Sequence, residues 1–239
     1  MHLFLIGNGN VGKNNTENEL EIIDKIIVKS TNKENPNFLF VGLASSFADS
    51  YYDVMKKNYK SLGCETVYLK KSNLKNNPDI VKDKFDNADI IYFGGGDTVK
   101  LMDSIKEYNL EPLINDAVKR NAILVGISAG AIMFCKEGLS DYLITQEKSD
   151  KYAFTDGLSL VDISLCPHGE DLKRLVDLNE ISHNKKVLII ESNACLEIDG
   201  YKCHSYSVDN LAEVILRTYE EEEYHDKIIK TIDLTELEN

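Results

Sequence analysis

The residues best suited to chemistry lie in Gly126-Ile127-Ser128-Ala129-Gly130. A serine flanked by glycines two positions away, after an apolar run and before a helix-forming stretch, has the spacing of a nucleophile elbow. Such a turn strains the serine backbone, so its neighbours must be small. Gly126 and Gly130 remove the side chains that would clash, and Ala129 is small as well. The spacing predicts a helix over 129–135. Ser128 then stands at the positive end of that helix, with the Ala129 N–H aimed at a developing oxyanion. A second cluster, Gly94-Gly95-Gly96-Asp97-Thr98, follows another apolar run. The carboxyl ends of neighbouring parallel strands share one sheet edge. Glycines there let the main chain come close to a ligand and point N–H groups at it. Gly95 or Gly96 is the expected second oxyanion donor, and Asp97 the expected cap of the next helix.

A serine nucleophile needs a base. Of the five histidines, His2 opens the first strand, His225 lies in a charged tail, His183 ends a helix and His204 sits in a hairpin. His168 follows Ile163-Ser164-Leu165-Cys166-Pro167 and precedes a helix over 171–182. A strand-end histidine fixed by a preceding proline suits the role of base. The third member of a triad is a carboxylate that holds the imidazole in the correct tautomer. Asp141, just past the elbow helix, is the expected acid, with Glu137 as the spare.

One further motif carries a different chemistry. Gly7-Asn8-Gly9-Asn10-Val11-Gly12 follows the first strand and spells G-x-G-x-x-G; with Lys13 and Asn14 it approaches a phosphate loop. The second strand ends without the acidic residue that a ribose hydroxyl requires, and Asn14 stands where Ser or Thr would hold magnesium. A capping box from Thr16 to Glu19 places the helix start late, which leaves a long loop rather than a tight cradle.

Positioning these groups requires a sheet. Apolar runs at 2–6, 38–43, 66–69, 89–93, 123–125 and 187–190 are hydrophobic throughout rather than alternating, as strands covered on both faces are. Helical patterns fall between them at 17–28, 51–62, 98–106 and 111–120. The alternation predicts an α/β fold: a mostly parallel sheet flanked by helices on both faces. Near the end, 195–198, Asp199-Gly200 and 201–208 read as an antiparallel hairpin added at the sheet edge. With no repeat or linker, residues 1–239 are expected to form a single domain.

The 239 residues carry 27 basic and 40 acidic side chains, a net charge of -13. Nucleic acid and anionic membranes demand a positive face, so neither is an expected partner. No apolar run approaches a membrane span, and Met1 to Gly7 has neither the basic region nor the cleavage site of a signal peptide. Five cysteines without C-x-x-C spacing argue against a disulfide framework or a zinc site, and for a cytoplasmic setting.

Together, GGGDT, GISAGA and CPH resemble the serine peptidases that include peptidase E and cyanophycinase. The resemblance spans most of the chain and implies a fold similar to class I glutamine amidotransferases and flavodoxin, a three-layer sandwich. It implies that Ser128 attacks, that His168 is the base, that an acid lies near Asp141, and that Gly95, Gly96 and Ala129 form the oxyanion hole. It implies small peptide substrates, among them dipeptides with an N-terminal aspartate, and no metal or organic cofactor. An acidic side chain calls for a cation, for which Arg174, six residues after His168, is the expected substrate-binding residue. A homodimer is left open. The rival readings are a nucleotide-binding protein using residues 7–13, a non-catalytic module that keeps the elbow shape, and an esterase of the larger hydrolase fold. The esterase is disfavoured because its acid and base normally lie far beyond the serine.

Overall fold

The computed structural model describes residues 1–12, 16–208, 211–221 and 223–238. Among these, the fold is mixed α/β, built on two sheets with helices packed around them. The first sheet holds eight strands. Five are parallel, in the order β3 (Glu65–Leu69), β2 (Asn37–Val41), β4 (Ile90–Phe93), β5 (Ile123–Ile127) and β1 (His2–Ile6). Beyond β1, β10 (Ala194–Asp199), β11 (Lys202–Ser207) and β14 (Thr231–Asp233) continue the sheet antiparallel. The expected hairpin is β10–β11. Its loop is Gly200-Tyr201, one position later than the sequence suggests, because Asp199 still pairs with Lys202.

The parallel strands are apolar throughout because alternate side chains enter different cores. Phe4, Phe38, Phe40, Tyr92 and Val125 meet α1 (Glu21–Ser30) and α2 (Ala48–Ser61) on one face. Leu3, Leu39, Ile91 and Leu124 point the other way. There they meet α4 (Pro78–Asn87), α5 (Thr98–Glu107) and α6 (Glu111–Lys119), while α3 (Lys71–Asn76) packs on α4. Helix α1 starts at Glu21 with no side-chain cap from Leu20, later than the expected capping box. The Glu19 carboxylate instead accepts from the Asn10 N–H, and Asn18 takes the Leu20 N–H.

The second sheet was not foreseen. It runs β13 (Glu223–Ile228), β12 (Val214–Glu220), β9 (Lys186–Ile190), β8 (Val161–Pro167), β6 (Cys135–Ser140) and β7 (Ala153–Asp156), with α8 (Tyr142–Thr145), α9 (Leu172–Ile181) and α10 (Leu234–Glu238) around it. The run at 187–190 belongs here rather than to the first sheet. Helix α7 spans only Ala129–Ile132, not 129–135. The carbonyls of Met133, Phe134 and Cys135 accept from the N–H groups of Leu158, Val161 and Ser159, so the chain leaves the helix and enters β6. One buried cluster takes side chains from both sheets, including Leu5, Leu124, Leu165 and Leu188. All five cysteines are buried and unpaired. No helix among the described residues is long and apolar enough to cross a membrane.

A buried carboxyl joins α1 to α2. Asp24 accepts hydrogen bonds from the Tyr59 hydroxyl at 2.8 Å and from Asn18 at 2.9 Å. Tyr59 in turn stacks on Phe38 of β2, with ring centroids 3.7 Å apart. Burial outweighs these bonds and raises the Asp24 pKa from 3.8 to about 6. Folding therefore takes up a proton between those two pH values, and stability falls as pH rises through that interval. Urea midpoints measured from pH 4 to pH 7 should decline across it in the wild type. Asp24→Asn, which cannot ionise, should flatten that slope.

Candidate active site

The two sheets bring the carboxyl ends of six strands to one edge: β1, β4 and β5 from the first, and β6, β8 and β9 from the second. Ser128 follows β5 with φ +53° and ψ −112°, a left-handed conformation that a side chain adopts at a cost of about 1–3 kcal/mol. Three contacts over-determine it. The Ser128 N–H donates to the Ile6 carbonyl at 3.0 Å. A Cβ on Gly126 would lie 2.2 Å from the Gly130 carbonyl oxygen, and a Cβ on Gly130 would lie 2.2 Å from that of Phe93. Only glycine fits at either position, so the turn closes as the spacing predicts.

His168 follows β8, also at positive φ (57°). Its Nε2 lies 2.9 Å from Ser128 Oγ. With Nε2 unprotonated, the hydroxyl donates along that contact and the imidazole is placed to take its proton. Burial first, and the Arg174 guanidinium second, lower the His168 pKa below 6.5, while Glu170, Asp141 and Asp171 oppose that shift. The other histidines are engaged or distant in the fold. His2 bonds Glu197, His204 contacts Thr231, His183 faces the Glu221 carbonyl, and His225 is exposed on β13.

The remaining expected residues divide. Asp97 caps α5, its side chain accepting from the Lys100 N–H. Gly95 packs 3.4 Å from Ser128 Cβ at the position its own Cβ would take, but its backbone is hydrogen-bonded to the buried Tyr51 hydroxyl. Gly96 and Ala129 carry no such commitment among the described residues. Ala129 opens α7, where a first-turn N–H has no intrahelical acceptor. Asp141 lines a cavity of about 340 Å³ with Gly96, Asp97 and Lys100, and its charge acts on His168. Glu137, the spare acid, is held elsewhere by the Ser164 hydroxyl at 2.7 Å and Lys185 at 2.6 Å.

Arg174 is 5% exposed, donates to the Leu139 carbonyl at 2.7 Å and stacks 4.3 Å from the Tyr152 ring centroid. Its Nη1 and the face of its guanidinium are thus engaged, while Nε is buried without a hydrogen-bond partner. Lys100 is the cation that the cavity wall does present. A carboxylate that the sequence analysis does not name, Glu170, lies two residues beyond His168 and also bears on its charge.

The glycine-rich loop after β1 does not offer a phosphate cradle. The Gly7 N–H donates to Ala194, that of Asn10 to Glu19, and that of Gly12 to the Asn10 side chain. Three of the N–H groups that such a cradle would draw on are thus committed inside the chain. Lys13 and Asn14 lie outside the described residues.

With this geometry in place, the family is decided by the match of residues 3–206 to the model of peptidase family S51. The chain belongs to that family. It is 29% identical over 146 residues to "Uncharacterized peptidase YgaJ" of Bacillus subtilis (strain 168), covering 61% of this chain and 60% of that protein. It is 36% identical over 85 residues to Peptidase E of Escherichia coli O1:K1 / APEC, covering 35% of each. The chain thus matches less than two thirds of the length of either relative. The crystal structure of a peptidase from an acI-B1 Actinobacterium shares the fold, with a TM-score of 0.72 at 18% identity, covering 97% of this chain and 96% of that one.

The lowered pKa of His168 has a measurable consequence for this S51 member. Below its pKa the imidazole is protonated and cannot accept from Ser128. The rate at which a fluorophosphonate labels Ser128 should therefore stay high as pH falls to 6.5 and drop only below it.

Proposed function

We propose that the protein is a serine peptidase that cleaves small peptides through an acyl-enzyme. The observation that carries this reading is the 2.9 Å contact between Ser128 Oγ and His168 Nε2 at a strained elbow. His168 takes the hydroxyl proton as Oγ attacks the peptide carbonyl. The resulting oxyanion is held by the N–H groups of Ala129 and Gly96, each donor worth about 3 kcal/mol of barrier. His168 returns the proton to the leaving amine, the C–N bond breaks, and the acyl group stays on Ser128. Water, deprotonated by His168, then releases the acid. Asp141 and Glu170 are the carboxylates that favour the imidazolium formed on the way.

The substrate reading is a short peptide, with an N-terminal aspartate favoured by the cation beside the glycine loop. Lys100 shares the cavity wall with Gly96, and its 3.6 Å approach to Asp97 is long enough to yield to a competing carboxylate. Labelling by a fluorophosphonate should be complete in the wild type and lost in Ser128→Ala. A wild type that resists labelling while correctly folded overturns the serine peptidase. In a panel of dipeptides, Lys100→Ala should raise KM for aspartyl substrates about tenfold, leave kcat near wild type, and spare neutral substrates. Equal losses on both classes would remove Lys100 from substrate selection.

A further inference from the structure

We infer that Glu170 is a positioning residue for His168, braced by Ser192 and by the glycine-rich loop that follows β1. The inference rests on the Ser128–His168 reading above and adds the parts that hold the base in place.

The bracing can be followed atom by atom. Both carboxylate oxygens of Glu170 are used by Ser192: the backbone N–H donates to Oε2 at 2.8 Å, and the hydroxyl donates to Oε1. The Ser192 hydroxyl oxygen also accepts from Asn8 Nδ2 at 3.1 Å. Asn8 and Ser192 are paired as a parallel bridge, and the Asn193 N–H donates to the Asn8 carbonyl at 2.8 Å. Gly7 makes this approach possible, since a Cβ there would fall 2.3 Å from the Ile190 carbonyl oxygen and 2.4 Å from that of Glu191. The G-x-G-x-x-G stretch thus packs one loop onto another.

The same strand end also reaches the nucleophile. Ile6 accepts the Ser128 N–H, and Asn8, two residues on, is joined through Ser192 and Glu170 to the segment carrying His168. That segment has little freedom of its own. Gly169 donates to the Ile190 carbonyl at 3.1 Å, and the Asp171 N–H donates back to the His168 carbonyl at 3.0 Å. A Cβ on Gly169 would lie 2.5 Å from Ile189. One strand terminus therefore sets the distance between hydroxyl and imidazole from both sides, and a small error in that distance is costly to the rate.

Charge supports the same role. Against burial, which raises it, the two Ser192 bonds, the Glu170 backbone N–H and the nearby His168 together hold the Glu170 pKa below the usual carboxylate value. The groups that bear on His168 are Arg174 and Asp171 from the start of α9, Asp141 from the end of β6, and Glu170 itself. Arg174 opposes an imidazolium; the three carboxylates favour it.

The test uses the full-length chain, fluorophosphonate labelling rates across pH, and the NMR titration of the His168 ring. Glu170→Gln keeps the shape and an acceptor for Ser192 but removes the charge. It should lower the His168 pKa by about 0.5 or more, move the acid limb of labelling the same way, and slow the limiting rate about tenfold. Ser192→Ala keeps the charge and breaks the link to Asn8, so it should slow the limiting rate with the acid limb little changed. Asn8→Ala should follow Ser192→Ala. An unchanged His168 titration in Glu170→Gln overturns the inference, whatever the labelling shows. Should Glu170→Gln fail to fold, wild-type labelling rates in both Ser192→Ala and Asn8→Ala overturn it equally. A wild type that does not label at all, with a His168 titration that still responds to Glu170→Gln, overturns the peptidase reading instead.

Discussion

The site depends on one strained backbone conformation, that of Ser128. A residue with a side chain at φ +53° relaxes unless its surroundings forbid it. Here the carbonyl of Ile6 holds its N–H, while Gly126 and Gly130 let three backbone segments touch where any methyl group would intrude. The strain keeps the hydroxyl above the sheet edge instead of folded against its own helix. Helix α7 is only one turn long and buried throughout, so it offers a local N–H array more than a long dipole. Any oxyanion stabilisation must come from individual donors such as Ala129.

Around that point the molecule balances opposed charges in a poorly solvated setting. Burial above all, and the Arg174 guanidinium after it, disfavour the charged imidazole; Arg174 is itself stacked on Tyr152 and bonded to a strand carbonyl. Three carboxylates on two segments, Asp141 on one and Glu170 and Asp171 on the other, pull the other way. A base must be neutral before attack and able to accept a proton during it. On the serine peptidase reading, burial keeps the imidazole neutral at rest and the carboxylates favour the charge that forms during attack. The overall negative charge of the chain says nothing about this local arrangement, which is set by side chains from β6 and α9.

Two sequence features changed meaning once folded. The Gly7–Gly9–Gly12 spacing has the form of a nucleotide fingerprint, yet the Gly7 and Gly12 N–H groups bond inside the chain and the absent side chain of Gly7 serves loop-to-loop contact. Arg174 has the position of a substrate cation, yet it is buried, with Nη1 bonded to the Leu139 carbonyl. In both cases the surroundings, and not the residue type, set what the group can contact. Lys100, unremarked in the sequence, lies in the first turn of α5, which Asp97 caps, and lines the cavity with Gly96.

The sequence by itself determined the parallel half of the first sheet, the β10–β11 hairpin, the elbow and the pairing of Ser128 with a strand-end histidine. These are local matters. An apolar run covered on both faces, a glycine two residues from a serine, and a proline before a histidine each carry their physical cause within a few neighbouring residues. Only the tertiary structure decided the second sheet, the early end of α7 and the network around His168. The inner strands β8 and β9 of that sheet are buried apolar runs like those of the first sheet, and nothing local says which sheet they join, while β7 and β13 are short or exposed and show no buried period. Helix α7 stops because carbonyls of residues 133–135 find partners at 158–161 rather than in their own next turn. Glu170 reaches Asn8 through Ser192, across separations of 22 and 184 residues. Hydrogen bonds between such distant segments leave no periodicity in the sequence, since either partner alone looks like an ordinary polar surface residue.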